Sequence, residues 1–216
     1  MDDKKSTRGA SKRRSRETAA STSERESTER PVARRIRYYG DPVLKTPARE
    51  IEVITPAVLS FVGDMIATLM NADGLGLAAQ QVGEPLAVAV LNLKGFDDVE
   101  DDLLSTGEML VLLNPDIAEQ EGHQTDEEGC LSFPGLYVQL TRPERVVVVA
   151  QRLIDENAVP VEIEARGLFA RAICHEIDHL QGRLIIDRLS PFARVRALAQ
   201  WRLKLAEALR NSEDKE

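Results

Sequence analysis

Residues His175-Glu176-Ile177-Asp178-His179 put two imidazoles four positions apart, and this spacing constrains the chain more than any other stretch. On an α-helix His175 and His179 lie about 40° apart around the axis and about 6 Å apart along it, so both rings can converge on one metal ion. Glu176 is rotated about 100° from that line, where it can reach a water on the metal without displacing it. A core histidine and a surface histidine on an ordinary helix remain the alternative. What completes the ligand set decides what such a metal does.

Metal hydrolases with this helix motif differ in that third ligand. The extended pattern H-E-x-x-H-x-x-G-x-x-H finds Gly182 but meets Ile185 where its last histidine belongs. The first glutamate downstream is Glu207, in a basic segment with no supporting motif. His123, the remaining histidine, sits between Gly122 and Gln124 in a polar stretch and is expected at the surface. Cys130, in Glu128-Gly129-Cys130-Leu131-Ser132, is the better candidate. One thiolate and two imidazoles make a three-ligand site with a fourth position open, the layout of a catalytic centre. The ordinary alternative for a free cysteine is a small buried hydrophobe.

Around this centre the sequence reads as α+β. The expected arrangement is antiparallel β-sheets packed around a central helix that bears the metal motif, with an N-terminal and a C-terminal helix. Thr55-Pro56 caps a helix whose apolar residues Val58, Leu59, Val62, Met65, Ile66 and Leu69 recur at three- and four-residue spacing to about Asn71. Gly74-Leu75-Gly76-Leu77-Ala78-Ala79-Gln80-Gln81 is expected to be irregular. Strands are expected at 86–93, 110–113, 146–149 and 159–163, with Asp155-Glu156-Asn157 turning the last pair. Residues 95–107 read as an acidic surface loop. The motif helix runs from about Gly167 to Leu180 and stops at Gly182, and Ser190-Pro191 caps a last helix to about Arg210.

Charge divides the chain further. The first thirty residues carry a net +3 and lack Ile, Leu, Val, Phe, Tyr and Trp, leaving −11 on the remaining 186. A segment with so little apolar surface cannot offset its ordering entropy. The expected division is a disordered tail over 1–33, a catalytic domain over 34–190, and a C-terminal helix with a short tail over 191–216. No apolar run is long enough for a membrane span, and the start has no secretory signal. Two cysteines in such a chain read as thiols or ligands, and a cytoplasmic location is expected.

Three segments together resemble the peptide deformylases, whose patterns are G-φ-G-φ-A-A-x-Q, E-G-C-φ-S and H-E-x-x-H (φ apolar). Here they stand as Gly74–Gln81, Glu128–Ser132 and His175–His179, complete and in the family's order. The resemblance covers roughly residues 34 to 190. It implies hydrolytic removal of the formyl group from the N-terminal formyl-methionine of new polypeptides. Cys130, His175 and His179 would hold one metal ion per chain, ferrous iron by resemblance, with zinc, nickel or cobalt as substitutes. The ion would lower the pKa of a bound water, and Glu176 would act as general base and then general acid. By the family pattern the Gln81 side-chain amide and the Leu131 backbone N–H would stabilise charge developing on the formyl oxygen.

The small residues of the glycine stretch, Gly76 among them, fit a substrate backbone passing close by, as does Gly129 beside Cys130. Leu168 and Ala172 precede His175 by seven and three residues and share its helix face. With Leu75 and Leu131 they are the candidate walls of a methionine pocket, although each also suits a plain core role. Two positions depart from the pattern. Tyr137 stands where some relatives carry an arginine that contacts substrate backbone, and Cys174 where many carry glutamine.

Residues 188–210 carry six basic side chains and one acidic one. Val195, Leu198, Trp201, Leu205 and Leu209 give that segment an apolar stripe expected to dock on the domain. Its basic face is either simply solvated or a contact for ribosomal RNA. No DNA or membrane partner is expected. A general H-E-x-x-H metallopeptidase would share the motif helix without requiring Gln81 or the Cys130 turn. A non-enzymatic metal-binding module would not require Glu176.

Overall fold

The computed structural model describes residues 30–97, 99–105 and 107–213. Its elements are α1 (Pro56–Met70), β1 (Gly76–Ala78), β2 (Val88–Asn92), α2 (Asp101–Leu104), β3 (Met109–Glu121), β4 (Gln124–Gly129), β5 (Tyr137–Arg142), β6 (Arg145–Ile154), β7 (Asn157–Arg166), α3 (Gly167–Leu180) and α4 (Pro191–Glu213). Short 3-10 turns stand at Pro42–Lys45, Ala79–Val82, Leu93–Gly95 and Ile185–Arg188. Both sheets are antiparallel, one in the order β1-β2-β3-β6-β7 and the other formed by β4 and β5. The α+β architecture expected from sequence is the one observed.

Period-two alternation explains how the larger sheet covers two helices at once. Side chains of successive strand residues point to opposite faces. Val88, Val90, Val111 and Leu113 pack with Phe61, Val62, Met65 and Leu69 of α1. Leu91, Leu110, Leu112, Val146, Val148 and Ile163 pack with Phe169, Ala170, Ile173 and Ile177 of α3. The sheet is therefore lined on both faces, and α3 is buried at every residue from 169 to 180. A helix enclosed this fully must find partners for its polar side chains within the protein or in a bound group.

β3 serves both ends of this sheet by bending. Its pairing with β6 shifts register between Leu113 and Asp116, beside Asn114 with a φ of 51°. The Asn114 amide holds the bend by accepting from Ile51 N–H at 2.8 Å and donating to Ile51 C=O at 2.9 Å.

Several expectations are corrected. The glycine stretch is not irregular throughout, because it forms β1 and the Ala79–Val82 turn. β4 and β5 went unread, and β3 continues well past Leu113 into polar residues. The acidic stretch near position 100 contains α2 and buries Phe96 and Leu103. The turn between β6 and β7 uses Asp155 and Glu156, both at positive φ, and Asn157 already belongs to β7. On α4 the docked residues are Trp201, Leu198 and Ala197, whereas Val195 is 69 % exposed and Leu205 also faces solvent. Arg194 completes that docked face by donating to Ile186 C=O at 2.8 Å and pairing with Asp187.

The side chain of Leu209 lies outside the described residues, as does the tail expected over 1–33 up to position 29. Residues 31–34 are held along α1: Val32 N–H donates to Asp64 and Arg34 N–H to Thr68, each at 2.8 Å. No helix among the described residues is long and apolar enough to cross a membrane.

Candidate metal centre

α3 is positioned by its ends. Gly167 N–H donates to Glu144 C=O at 3.0 Å where the helix starts. At the other end Gly182, at a φ of 71°, lets the chain leave while Arg183 N–H returns to Asp178 C=O at 2.8 Å. A Cβ on Gly182 would also stand 2.6 Å from Lys45 C=O, so the exit needs glycine for space as well as conformation. His175 and His179 then lie on one side of the helix, with ring centroids 4.9 Å apart.

The third group comes from the turn after β4. Phe133 N–H closes that turn on Cys130 C=O at 2.9 Å. Cys130, His175 and His179 each offer one donor atom, all within 4.8 Å of one another. Cys130 Sγ lies 3.3 Å from His179 Nε2. Tetrahedral ligands at zinc-like bond lengths of about 2.3 Å to sulfur and 2.05 Å to nitrogen would be roughly 3.5 Å apart. The donor set and its spacing thus fit a divalent ion. Cys174 is buried elsewhere on α3, where burial pushes its thiol up to about 11. At neutral pH it is a protonated packing residue.

Behind the ligands lies a buried ionic cluster. Glu128 accepts from His175 Nδ1 at 2.7 Å, which leaves Nε2 as the imidazole lone pair facing the centre. The same carboxylate takes a two-pronged contact from Arg142 at 2.6 and 3.0 Å and a third from Arg171 at 3.0 Å. Arg142 also donates to Asp178 at 2.5 Å, and Arg188 pairs with Asp178 from outside. Burial alone would raise the Glu128 pKa, but hydrogen bonds and charge from His175 and Arg142 hold it below the usual carboxylate range. Burial also opposes charging of His175, yet its contacts with Cys130 and Glu128 and the nearby Glu176 keep it well above the usual histidine value. Burial and the neighbouring His175 hold His179 well below that value. Metal binding therefore displaces a proton from the pair.

Glu176 is buried and has one carboxylate oxygen without a partner among the described residues. Burial raises its pKa to about 7, against the charges of His175 and Arg142. Room for it is made by Gly76, where an added Cβ would stand 2.5 Å from the carboxylate. Nearby, Gln81 Oε1 accepts from Ala78 N–H at 2.8 Å. That bond fixes the amide so that Nε2 faces Ser132 Oγ at 3.4 Å and Cys130 Sγ at 3.7 Å. The Leu131 N–H has no partner among the described residues.

The expected pocket walls are less unified. Leu75 packs with the cluster that contains Ala172, while Leu131 packs with the one around α1. Leu168 is 50 % exposed at the first turn of α3. Gly129 pairs with Tyr137 across β4 and β5, and a Cβ there would stand 2.8 Å from the tyrosine ring. Glu128, Arg142, Arg171 and Asp178 were not assigned roles from sequence. One signal was available: Val138, Leu140 and Arg142 alternate inward along β5, so the arginine takes a core position.

With this geometry in place, comparison with known proteins is specific. Residues 33–195 match the family model described as polypeptide deformylase. A peptide deformylase of Thermodesulfovibrio yellowstonii is 43 % identical over 159 residues, covering 74 % of this chain and 90 % of that protein. One from Dictyoglomus thermophilum is 44 % identical over 157 residues, covering 73 % and 93 %. The crystal structure of a peptide deformylase from Legionella pneumophila superposes with a TM-score of 0.70 at 35 % identity, covering 82 % of this chain and 98 % of that one.

Proposed function

The chain belongs to the polypeptide deformylase family and removes N-terminal formyl groups from nascent peptides, and from that premise we propose which of its residues do the work. The family is metal-dependent; we assign the metal to Cys130, His175 and His179, and the ion to ferrous iron, with zinc, nickel or cobalt as substitutes. The convergence of those three donors beside the buried Glu176 carries the assignment. When bound, the ion supplies a positive charge that acidifies water and polarises the formyl carbonyl. The catalytic unit is residues 34–190, and the C-terminal helix with its short tail over 191–216 is an appendage.

Glu176 takes the proton of the attacking water as the water oxygen bonds to the formyl carbon. It then delivers that proton to the amine nitrogen as the C–N bond breaks, leaving formate and a free N-terminus. In the metal-free chain burial raises the Glu176 pKa to about 7, and a bound cation would draw it back down, toward the form that accepts the proton. Gln81 Nε2 and the Leu131 N–H donate to the oxygen of the tetrahedral carbon; loss of one such donor typically costs about 3–4 kcal/mol in barrier. Gln81 is suited to this because Ala78 holds its amide oxygen away from the centre. We assign Gly76 and Gly129 to the close passage of substrate backbone, and Leu75, Leu131, Leu168 and Ala172 to the apolar surroundings of the methionine.

Metal-loaded chain prepared without oxygen is expected to release formate from a formyl-methionyl peptide and to leave internal peptide bonds intact. Cleavage of internal bonds would point instead to a general metallopeptidase. Activity should then fall in air, because Cys130, as a thiolate beside ferrous iron, is open to oxidation together with the ion. Turnover unchanged after prolonged aeration would exclude ferrous iron.

We place the reaction in the cytoplasm, with α4 as a contact for ribosomal RNA near the emerging substrate. Arg188 and Arg194 are engaged with Asp178 and Asp187, which leaves Arg196, Arg202 and Lys204 as the exposed basic face. Arg196→Glu with Arg202→Glu should weaken co-sedimentation with ribosomes at least tenfold in moderate salt, with peptide deformylation unchanged. Equal co-sedimentation of variant and parent would end this proposal.

A further inference from the structure

The two groups assigned to the formyl oxygen come from segments with no main-chain connection to each other. Gln81 follows β1 in the larger sheet, and Leu131 follows β4 in the smaller one. No backbone–backbone hydrogen bond joins the two segments directly among the described residues. Their direct polar links are two long side-chain contacts, Gln81 Nε2 to Ser132 Oγ at 3.4 Å and to Cys130 Sγ at 3.7 Å. Yet donors to a developing oxyanion must be held to within about half an ångström to be useful.

The N-terminal segment bridges this gap. Arg37 N–H donates to Gln81 C=O at 2.7 Å, and Tyr39 N–H donates to Ser132 C=O at 3.0 Å. Arg37 and Tyr39 are only two residues apart, so one short run bonds both donor segments at once. Upstream, the run is fastened to α1 by Arg34 N–H on Thr68 at 2.8 Å and Arg34 Nε on Asp64 at 3.0 Å. The Arg34 guanidinium also lies 4.8 Å above the Phe61 ring. Downstream, the Tyr39 ring stacks on Phe133 with centroids 4.8 Å apart.

We propose that residues 37–39 form a splint that sets the spacing between the Gln81 amide and the Leu131 N–H, with the main-chain N–H groups of Arg37 and Tyr39 as the positioning groups. This rests on the assignment of Gln81 and Leu131 as oxyanion donors. The splint touches neither substrate nor metal. Its effect falls on the transition state, where the donors act, and leaves ground-state binding alone.

Comparing Arg37→Ala with Arg37→Pro isolates the main-chain group, because both lose the side chain and only proline loses the N–H. With a formyl-methionyl peptide, Arg37→Pro should show kcat about tenfold below Arg37→Ala, at equal KM and equal metal content. In a Gln81→Ala background the same exchange should cost less than twofold, since a donor that is absent cannot be misplaced. A packing role would lower kcat equally in both backgrounds. Equal kcat for the two Arg37 variants, or equal losses with and without Gln81, overturns the splint while leaving the donor assignment intact. A Gln81→Ala variant with undiminished kcat overturns the donor assignment and the splint with it. If Arg37→Pro does not fold, Thr68→Val releases the far anchor and must show the same loss at constant KM and the same dependence on Gln81.

Discussion

Glu176→Ala is expected to lower kcat for formate release about 10²–10⁴-fold, the range for loss of a positioned general acid–base group, while metal content stays at the parental level. Glu176 donates no atom to the cluster of Cys130, His175 and His179, so its removal separates proton transfer from metal retention. Its carboxylate is buried, one oxygen has no partner among the described residues, and its pKa is raised to about 7. A raised acid pKa means that the folded metal-free protein binds the proton more tightly than the unfolded chain does. Stability from this group therefore declines as pH rises from about 4.5 through 7. In the metal-free protein Glu176→Gln should thus be at least as stable as the parent above pH 7, whereas loaded with metal it should be as inactive as Glu176→Ala. Single-turnover formate release that survives either substitution would remove Glu176 from the mechanism. Loss of metal in Glu176→Gln would show that the residue acts through the ion.

The second large effect is expected from Glu128→Ala. This substitution leaves Arg142, Arg171 and the Nδ1 group of His175 without their shared acceptor in the interior. Breaking a buried ion pair from one side costs about 3–5 kcal/mol, because the partner charge is stranded. The imidazole also loses the bond that sets its tautomer, so metal affinity should fall about 10–100-fold. Urea denaturation of the metal-free protein and competition with a chelator measure the two losses separately. The Glu128 pKa is depressed in the folded state, so its contribution is complete above the unfolded value of about 4.5 and fades as pH falls toward the folded one. The stability gap between parent and variant should accordingly be widest near neutrality and narrow below about pH 4. A gap that does not narrow in acid would show that Glu128 acts through packing alone.

What could be read from the chain depended on whether its physical cause was local. Both ends of α3 were legible because the histidine spacing, Gly167 and Gly182 are local signals. Thr55 and Pro56 announced α1 in the same way, and Thr55 does cap it by accepting from Val58 N–H at 3.3 Å. β4 was not legible: in Gln124–Gly129 only Glu128 is buried, so its inward face shows no apolar alternation. The joining of Glu128, Arg142 and Asp178 was equally hidden, since each is an ordinary charge until the two strands of the smaller sheet and a helix meet. The α4 stripe failed for a related reason. Arg194 docks through hydrogen bonds to the Ile185–Arg188 turn, and this rotates Val195 into solvent where apolar spacing alone would bury it. Of the centre itself, the three donors that converge were legible and the charged groups behind them were not.

The reach of the N-terminal segment has a consequence for assembly. Residues 32 to 48 leave the ribosome before the elements they bind, since their partners lie at 64, 68, 81, 132 and 180. Ala48 N–H, for one, donates to Leu180 C=O at the end of α3. Contacts so distant along the chain close slowly and only after both partners exist. This early stretch is therefore among the last to be fixed in place. Until about residue 180 has emerged, this stretch cannot be fully seated, and its last main-chain tie closes only on the end of the helix that carries His175 and His179.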